Sequence, residues 1–202
     1  MAQLMNRRAT LAGGLAATCA ATCAHAQDGV VRVTMKTSKG VIGLELEAGK
    51  APITVRNFLR YVDMKLYDKA AIYRVSHVPN APDHGLVEGG VRTPGKLLKP
   101  IAHESTAKTG LTHKDGTISM ARRAPGTATS DFFFVVGDQP GFDADVTGDG
   151  DKNGFAAFGH VIEGMDVVHA IFDLPVSATA GIGAMRGEML KTPVTIVSVR
   201  RA

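Results

Sequence analysis

The sequence predicts a mainly β fold, a closed antiparallel barrel of about eight strands capped by two α-helices. Three observations predict it. Short runs in which apolar and polar residues alternate recur along the chain between turn-rich segments. Only two stretches, one after Ala51 and one from Met165, read as helices. No repeat, linker or low-complexity tract divides residues 27–202, so the strands form one domain, and a sheet closed on itself leaves no edge exposed.

A leader of different composition precedes that domain. Arg7 and Arg8 are followed by ATLAGGLAATCAATCAHA (9–26), which is small, apolar and uncharged. It ends in Ala24-His25-Ala26 before polar Gln27-Asp28-Gly29. This is the pattern of a bacterial-type signal peptide over residues 1–26, with cleavage expected after Ala26 and a periplasmic or secreted product. A plain N-terminal tail is the alternative. The Arg7-Arg8 pair with Leu11 leaves twin-arginine export open beside the general route. Cys19 and Cys23 both lie in the leader, so the mature chain has neither disulfide nor thiolate chemistry.

Removing the leader takes away two cations and no acid, so the net charge falls from +4 to +2. With no basic stripe either, nucleic acid is excluded as a partner. The body of the chain has no apolar run of membrane-spanning length. Apolar content of 45% and charged content of 21% are ordinary for a globular domain. No large apolar surface pattern stands out, and a monomer is expected.

The elements follow in order. Residues 30–36 (VVRVTMK) and 41–47 (VIGLELE) alternate on either side of Ser38-Lys39-Gly40, a β-hairpin. Ala51-Pro52 opens a helix with Thr54 as the candidate N-cap, and Val55, Phe58, Leu59 and Val62 form its apolar stripe. Residues 70–76 (AAIYRVS) read as a strand. A turn-rich excursion follows over 77–85, then Glu88-Gly89-Gly90 and a long polar loop to His113. Strands are expected at 116–121, 132–136 and 155–161, a helix at Met165–Phe172, a Gly- and Ala-rich loop over 173–189 and a last strand at 194–200.

Phe132, Phe133 and Phe134 stand side by side in the run 132–136. A strand sends neighbours to opposite faces. Either both faces are buried, or one face is a pocket that something else fills.

IYRV (72–75), EGG (88–90), GTISMA (116–121), SDFFFVV (130–136) and FGHVIEGMDVV (158–168) fall in the order found in cyclophilins, the peptidyl-prolyl cis–trans isomerases. The chain resembles that family over roughly residues 31–200. The resemblance implies an eight-stranded barrel with two capping helices and a peptide groove on its outside. It implies that Phe133 floors a proline pocket, while Phe132 and Phe134 turn into the core. The small-sided loop 124–129 would let a substrate backbone approach.

An X-Pro bond turns slowly because its amide must lose conjugation, a barrier of about 18–20 kcal/mol. The site needs an apolar pocket for the ring and a fixed donor that favours the twisted amide, so no cofactor or metal is implied. A donor aimed at the proline nitrogen acts in the transition state, where that nitrogen regains a lone pair. The resemblance gives this role to Arg74, a planar and permanently charged group. Alternation with Tyr73 and Val75 alone would equally make it a solvent-face arginine. The resemblance further implies Leu86, Phe133 and Phe142 as pocket residues, and places Glu88, Ala121, Arg122, Asp131 and Phe155 among those meeting a proline-containing polypeptide.

Several positions depart from the family pattern. Glu88 and Asp131 each replace Gln, Arg122 replaces Asn, Gly85 falls where a pocket Phe is usual, and Phe155 stands for His or Tyr. The segment between Arg74 and Glu88 is longer than usual. Glu88 and Asp131 are both candidates to pair with Arg74, either holding it or drawing it from the substrate. The main reading is an isomerase assisting exported proteins; the alternative is a weakly active proline-peptide binding module or chaperone. Residues 145–156 partly match a calcium loop, with oxygen ligands at its positions 1, 3 and 5 and Gly150 at position 6. Position 12 is Ala156 rather than Glu, so the stretch reads as a solvated insertion and no metal is assigned.

Overall fold

The structure is a computed structural model of the chain, and the residues it describes are Met1, 29–145, Gly148 and 151–202. The leader from Ala2 onward and its cleavage site lie outside the described residues, as do Val146, Thr147, Asp149 and Gly150 of the acidic loop.

Nine strands form among the described residues: β1 (Val31–Thr37), β2 (Gly40–Leu46), β3 (Ala70–Val78), β4 (Ala81–Gly90), β5 (Thr117–Met120), β6 (Phe132–Val136), β7 (Ala156–Glu163), β8 (Val176–Ser177) and β9 (Met189–Arg201). Eight of them close a ring in the order β1-β2-β7-β5-β6-β4-β3-β9 and back to β1. Every pairing is antiparallel. The short β8 is an addition on the flank of β9. The expected eight-stranded barrel is therefore present, with one extra strand.

The interior is sealed by side chains from alternate positions. Met35, Ile42, Leu44, Ile118, Phe132, Phe134 and Phe158 are fully buried in one core cluster. Helix α1 (Pro52–Asp63) adds Phe58, whose ring lies 5.0 Å from Tyr67, 5.3 Å from Phe158 and 5.8 Å from Phe132. A one-turn helix, α2 (Thr106–Thr109), interrupts the long loop, and α3 (Met165–Phe172) buries Val168, Ile171 and Phe172.

Thr54 does not cap α1. The helix starts at Pro52, and the cap comes from Glu104 in the long loop. The buried Glu104 carboxylate accepts the Ile53 and Thr54 N–H groups at 3.1 and 2.7 Å and the Thr54 hydroxyl at 2.7 Å. A carboxylate here satisfies orphan donors and meets the positive end of the helix dipole. A helical residue with its hydroxyl already in use cannot also serve as the cap.

The turn-rich stretch 77–85 is the tip of a lengthened β3–β4 hairpin. Val78 pairs with Ala81 across Pro79-Asn80, and Asn80 takes φ +66°. Proline presets the first turn position and Asn tolerates the left-handed second one. Further down the hairpin, a Cβ at Gly85 would run into the Ser76 carbonyl, which is why no pocket side chain stands there. The region 173–189 is likewise more ordered than a loop, since it holds β8 and a 3-10 turn over Gly183–Met185.

Candidate active site

Strand register decides which side chains reach the outside of the barrel. Glu88 on β4 lies opposite both Arg74 on β3 and Phe133 on β6, and Phe133 in turn lies opposite Ser119 on β5. Directly opposed residues share a face, so these four line one outer surface. Their neighbours Val87, Phe132 and Phe134 belong to the core cluster, and Phe133 does not.

Strict alternation would send Tyr73 to the face opposite Arg74. The register shifts between Ile72 and Arg74, so Tyr73 is the extra residue of a β-bulge. A bulge re-aims side chains locally. The Tyr73 hydroxyl accordingly donates to Glu88 Oε1 at 2.9 Å, beside the arginine.

Arg74 is held by two carboxylates. Its Nη1 donates to Glu88 Oε2 at 2.5 Å, and Nε and Nη2 reach Glu188 Oε2 at 2.8 and 2.7 Å. Glu188 is fixed in turn by the Ser76 hydroxyl, at 2.6 Å from Oε1. Burial works against the Arg74 charge, but the hydrogen bonds and charges of Glu88 and Glu188 outweigh it and hold its pKa above the ordinary arginine value. The other carboxylate considered, Asp131, accepts from Ser130 Oγ at 3.0 Å instead. Burial raises its pKa, with Ser130 and Tyr73 acting in the other direction.

A second aromatic cluster lies outside the barrel. Phe133 is 2% exposed and meets the half-buried Phe142 and Phe155 edge to face, at 5.5 and 5.4 Å. His113 lies nearly parallel to the Phe133 ring, at 6.1 Å and 12°. Phe133 is thus a floor, and the half-buried rings present the surface above it. His113 Nδ1 lies 2.7 Å from Asp143 Oδ1, and Nε2 lies 2.9 Å from Ser119 Oγ. Asp143 can only accept, which places the proton on Nδ1 and makes Nε2 the acceptor from Ser119. The spacing resembles a nucleophilic triad, but Ser119 is fully buried beneath the cluster, with no path for a substrate. Its effect is to fix the imidazole against the Phe133 ring.

Arg122 connects this cluster to an open groove of about 860 Å³. Its guanidinium lies over the Phe155 ring at 4.9 Å, donates to the Gly154 carbonyl and pairs with Asp151 at 2.6 Å. Tyr73, Glu88, Ala121 and Asp131 line the same groove, and Arg92 stacks over Tyr73 at 4.4 Å on its wall.

A family model described as "Cyclophilin type peptidyl-prolyl cis-trans isomerase/CLD" matches residues 32–201. The chain belongs to this family. It is 39% identical to a peptidyl-prolyl cis-trans isomerase of Acinetobacter baylyi over 98% of this chain and 96% of that one. It is 34% identical to peptidyl-prolyl cis-trans isomerase B of Escherichia coli, covering 83% and 97% of the two chains. The crystal structure of a Cryptosporidium parvum cyclophilin, determined in the presence of the dipeptide Ala-Pro, superposes with a TM-score of 0.67 at 17% identity. That match covers 85% of this chain and 98% of that one, and shows the shared fold.

On this cyclophilin barrel the residues expected at the site separate into groups. Arg74 and Glu88 form one polar cluster. Phe133, Phe142 and Phe155 form the aromatic one. Ala121, Arg122 and Asp131 line the groove with Glu88. Leu86 is half-buried on β4 opposite Ser76 and Val135, on the outer face but outside the groove lining. Glu188, His113 and Tyr73 were not expected. Glu188 lies 114 residues from Arg74 in a stretch read as loop, and nothing local marks it. Tyr73 was concealed by the assumption of unbroken alternation. Among the described residues no group of three or more His, Cys, Asp or Glu is placed to hold a metal ion.

Proposed function

We propose that this cyclophilin turns X-Pro bonds of exported polypeptides at the junction of the Arg74 cluster and the Phe133 cluster, with Arg74 as the donor to the twisting amide. The observation that carries this is the two-carboxylate grip on Arg74. A guanidinium has five donors; Glu188 spans Nε and Nη2 and Glu88 takes one N–H of Nη1, leaving one N–H on each of Nη1 and Nη2 for a substrate. A donor already in position incurs no reorganisation as the proline nitrogen pyramidalises, and that nitrogen accepts best in the transition state. Phe142 and Phe155 over Phe133 give the ring an apolar seat. The export reading rests on the leader pattern, with its small apolar stretch and Ala24-His25-Ala26. Arg74, its two carboxylates and the Phe133 cluster need no second copy to complete them, which supports a monomer.

Arg74→Lys tests the assignment. Lys keeps the charge beside the buried Glu88 but loses the planar fork. In an assay of cis–trans conversion of an X-Pro peptide, kcat/KM should fall on the order of 10²-fold with the fold retained. Full activity in the variant would overturn the role of Arg74. A wild type that binds proline peptides without turnover would favour the binding-module alternative.

A further inference from the structure

The lining of the groove beside the arginine is of two unlike kinds. Asp131, Arg122, Arg123 and the threonines of the β5–β6 loop form a polar wall. The same groove is lined by Leu97 and by the segment 181–189, which brings Ile182, Ala184, Met185 and Met189. Among the described residues, the exposed large apolar side chains beyond Met1 are Val41, Met64, Leu97, Ile162, Ile182, Met185 and Val197. Leu97, Ile182 and Met185 share this one groove, at 51%, 91% and 39% exposure. Single exposed apolar residues need no explanation, but several gathered on a groove mark a binding surface.

The apolar wall is an ordered one. Gly187 N–H bonds the Ala180 carbonyl at 2.9 Å, and Arg186 N–H bonds that of Gly183 at 3.1 Å. Val75 N–H on β3 takes the Glu188 carbonyl at 2.9 Å. Gly181 adopts φ +96°, and a Cβ there would collide with the Met185 carbonyl. The turn is thereby closed tightly enough to hold Ile182 outward. Glu188, which ends the segment, grips Arg74, so the wall is fastened to the catalytic group itself.

We infer that Ile182 and Met185 are specificity residues, which favour proline peptides carrying an apolar side chain close to the proline. The inference rests on the isomerase reading above and adds its substrate class. The occupant follows from continuity: Glu88 lines the groove and holds Arg74, so the groove with Ile182 and Met185 is open to the residues next to a proline seated at Arg74. An apolar side chain there leaves water for the wall.

Two peptide series test this, each with one Pro, carrying Leu or Ser at the second residue before or after it. The wild type should turn over one Leu peptide with kcat/KM about 10-fold above its Ser counterpart. Ile182→Ser with Met185→Gln should reduce that ratio toward one. Ile182→Ser alone, a milder change, serves if the double variant does not fold. An equal rate for Leu and Ser peptides in the wild type, or a preference that survives in the variants, would overturn the inference. No turnover of any peptide would instead strike the isomerase reading itself. Sedimentation of the wild type as a dimer that Ile182→Ser dissociates would assign the wall to self-association and overturn it as well.

Discussion

Two aromatic clusters lie back to back across a single strand. Inside the barrel, Phe132 and Phe134 pack with Phe58, Tyr67 and Phe158, and each of these rings is fully buried. Outside, Phe133 packs with Phe142, Phe155 and His113. The inner cluster is closed off from solvent by the strands and by helix α1, which contributes Phe58. The outer one is tied to polar groups through His113 and Arg122 and ends at solvent. The same residue type, one position apart, is sealed in the core in one place and joins a cluster that ends at solvent in the other. Phenylalanine content therefore says little about a site, whereas strand register says a great deal.

Substituting across that strand is the strongest way to break the comparison. Phe132→Ala empties a sealed site and should cost about 3–5 kcal/mol of stability. The molecules that remain folded should keep their KM for an X-Pro peptide. Phe133→Ala should cost less stability, because its cluster opens to water on one side, yet raise KM. Chemical denaturation together with kinetics at matched folded fraction checks both. Equal kinetic damage from the two variants would show that the outer cluster is not the pocket.

A smaller effect is expected at the polar edge. Glu188→Gln removes the charge that spans Nε and Nη2, leaving the guanidinium to swing toward Glu88 alone. Misplacement of a catalytic group is costly, and kcat should fall about 10-fold with KM little changed. A rise in kcat would mean that Glu188 draws Arg74 away from the substrate rather than aiming it.

The smallest effect sharpens the comparison through pH. Burial holds His113 below its ordinary value of 6.5, with Asp143 pulling the other way. The folded state therefore favours neutral imidazole, and its contribution to stability is present above pH 6.5 and lost as pH falls below it. One proton limits the slope to about 1.4 kcal/mol per pH unit. Asp131 acts in the opposite sense in the carboxylate range, since burial raises its pKa and the fold favours its protonated form. Thermal melts from pH 7 to 5 should show the decline, and His113→Asn should flatten it. A variant with the same slope as wild type would assign the decline to other groups.

The barrel was legible because its evidence is local. Alternation gave the strands, and the three adjacent phenylalanines announced one face too many for a simple core. The ordered motifs supplied Arg74, Glu88 and Phe133. What escaped the sequence was produced by pairing. Glu104 reaches back to cap a helix fifty residues before it. Glu188 meets Arg74 only because β9 lies beside β3. The bulge at Tyr73 is a property of two strands together, and no reading of one strand contains it.

The last strand lies between β1 and β3, pairing Arg201 with Val33 and Val194 with Ile72. Nothing closes until the C-terminal residues arrive, so the nascent chain carries two unsatisfied sheet edges for most of its synthesis. Contacts this distant in sequence make for slow folding. A catalyst of other chains' conformational delay is itself built late, and loss of the final dozen residues would open the cylinder along its whole height and invite edge-to-edge aggregation.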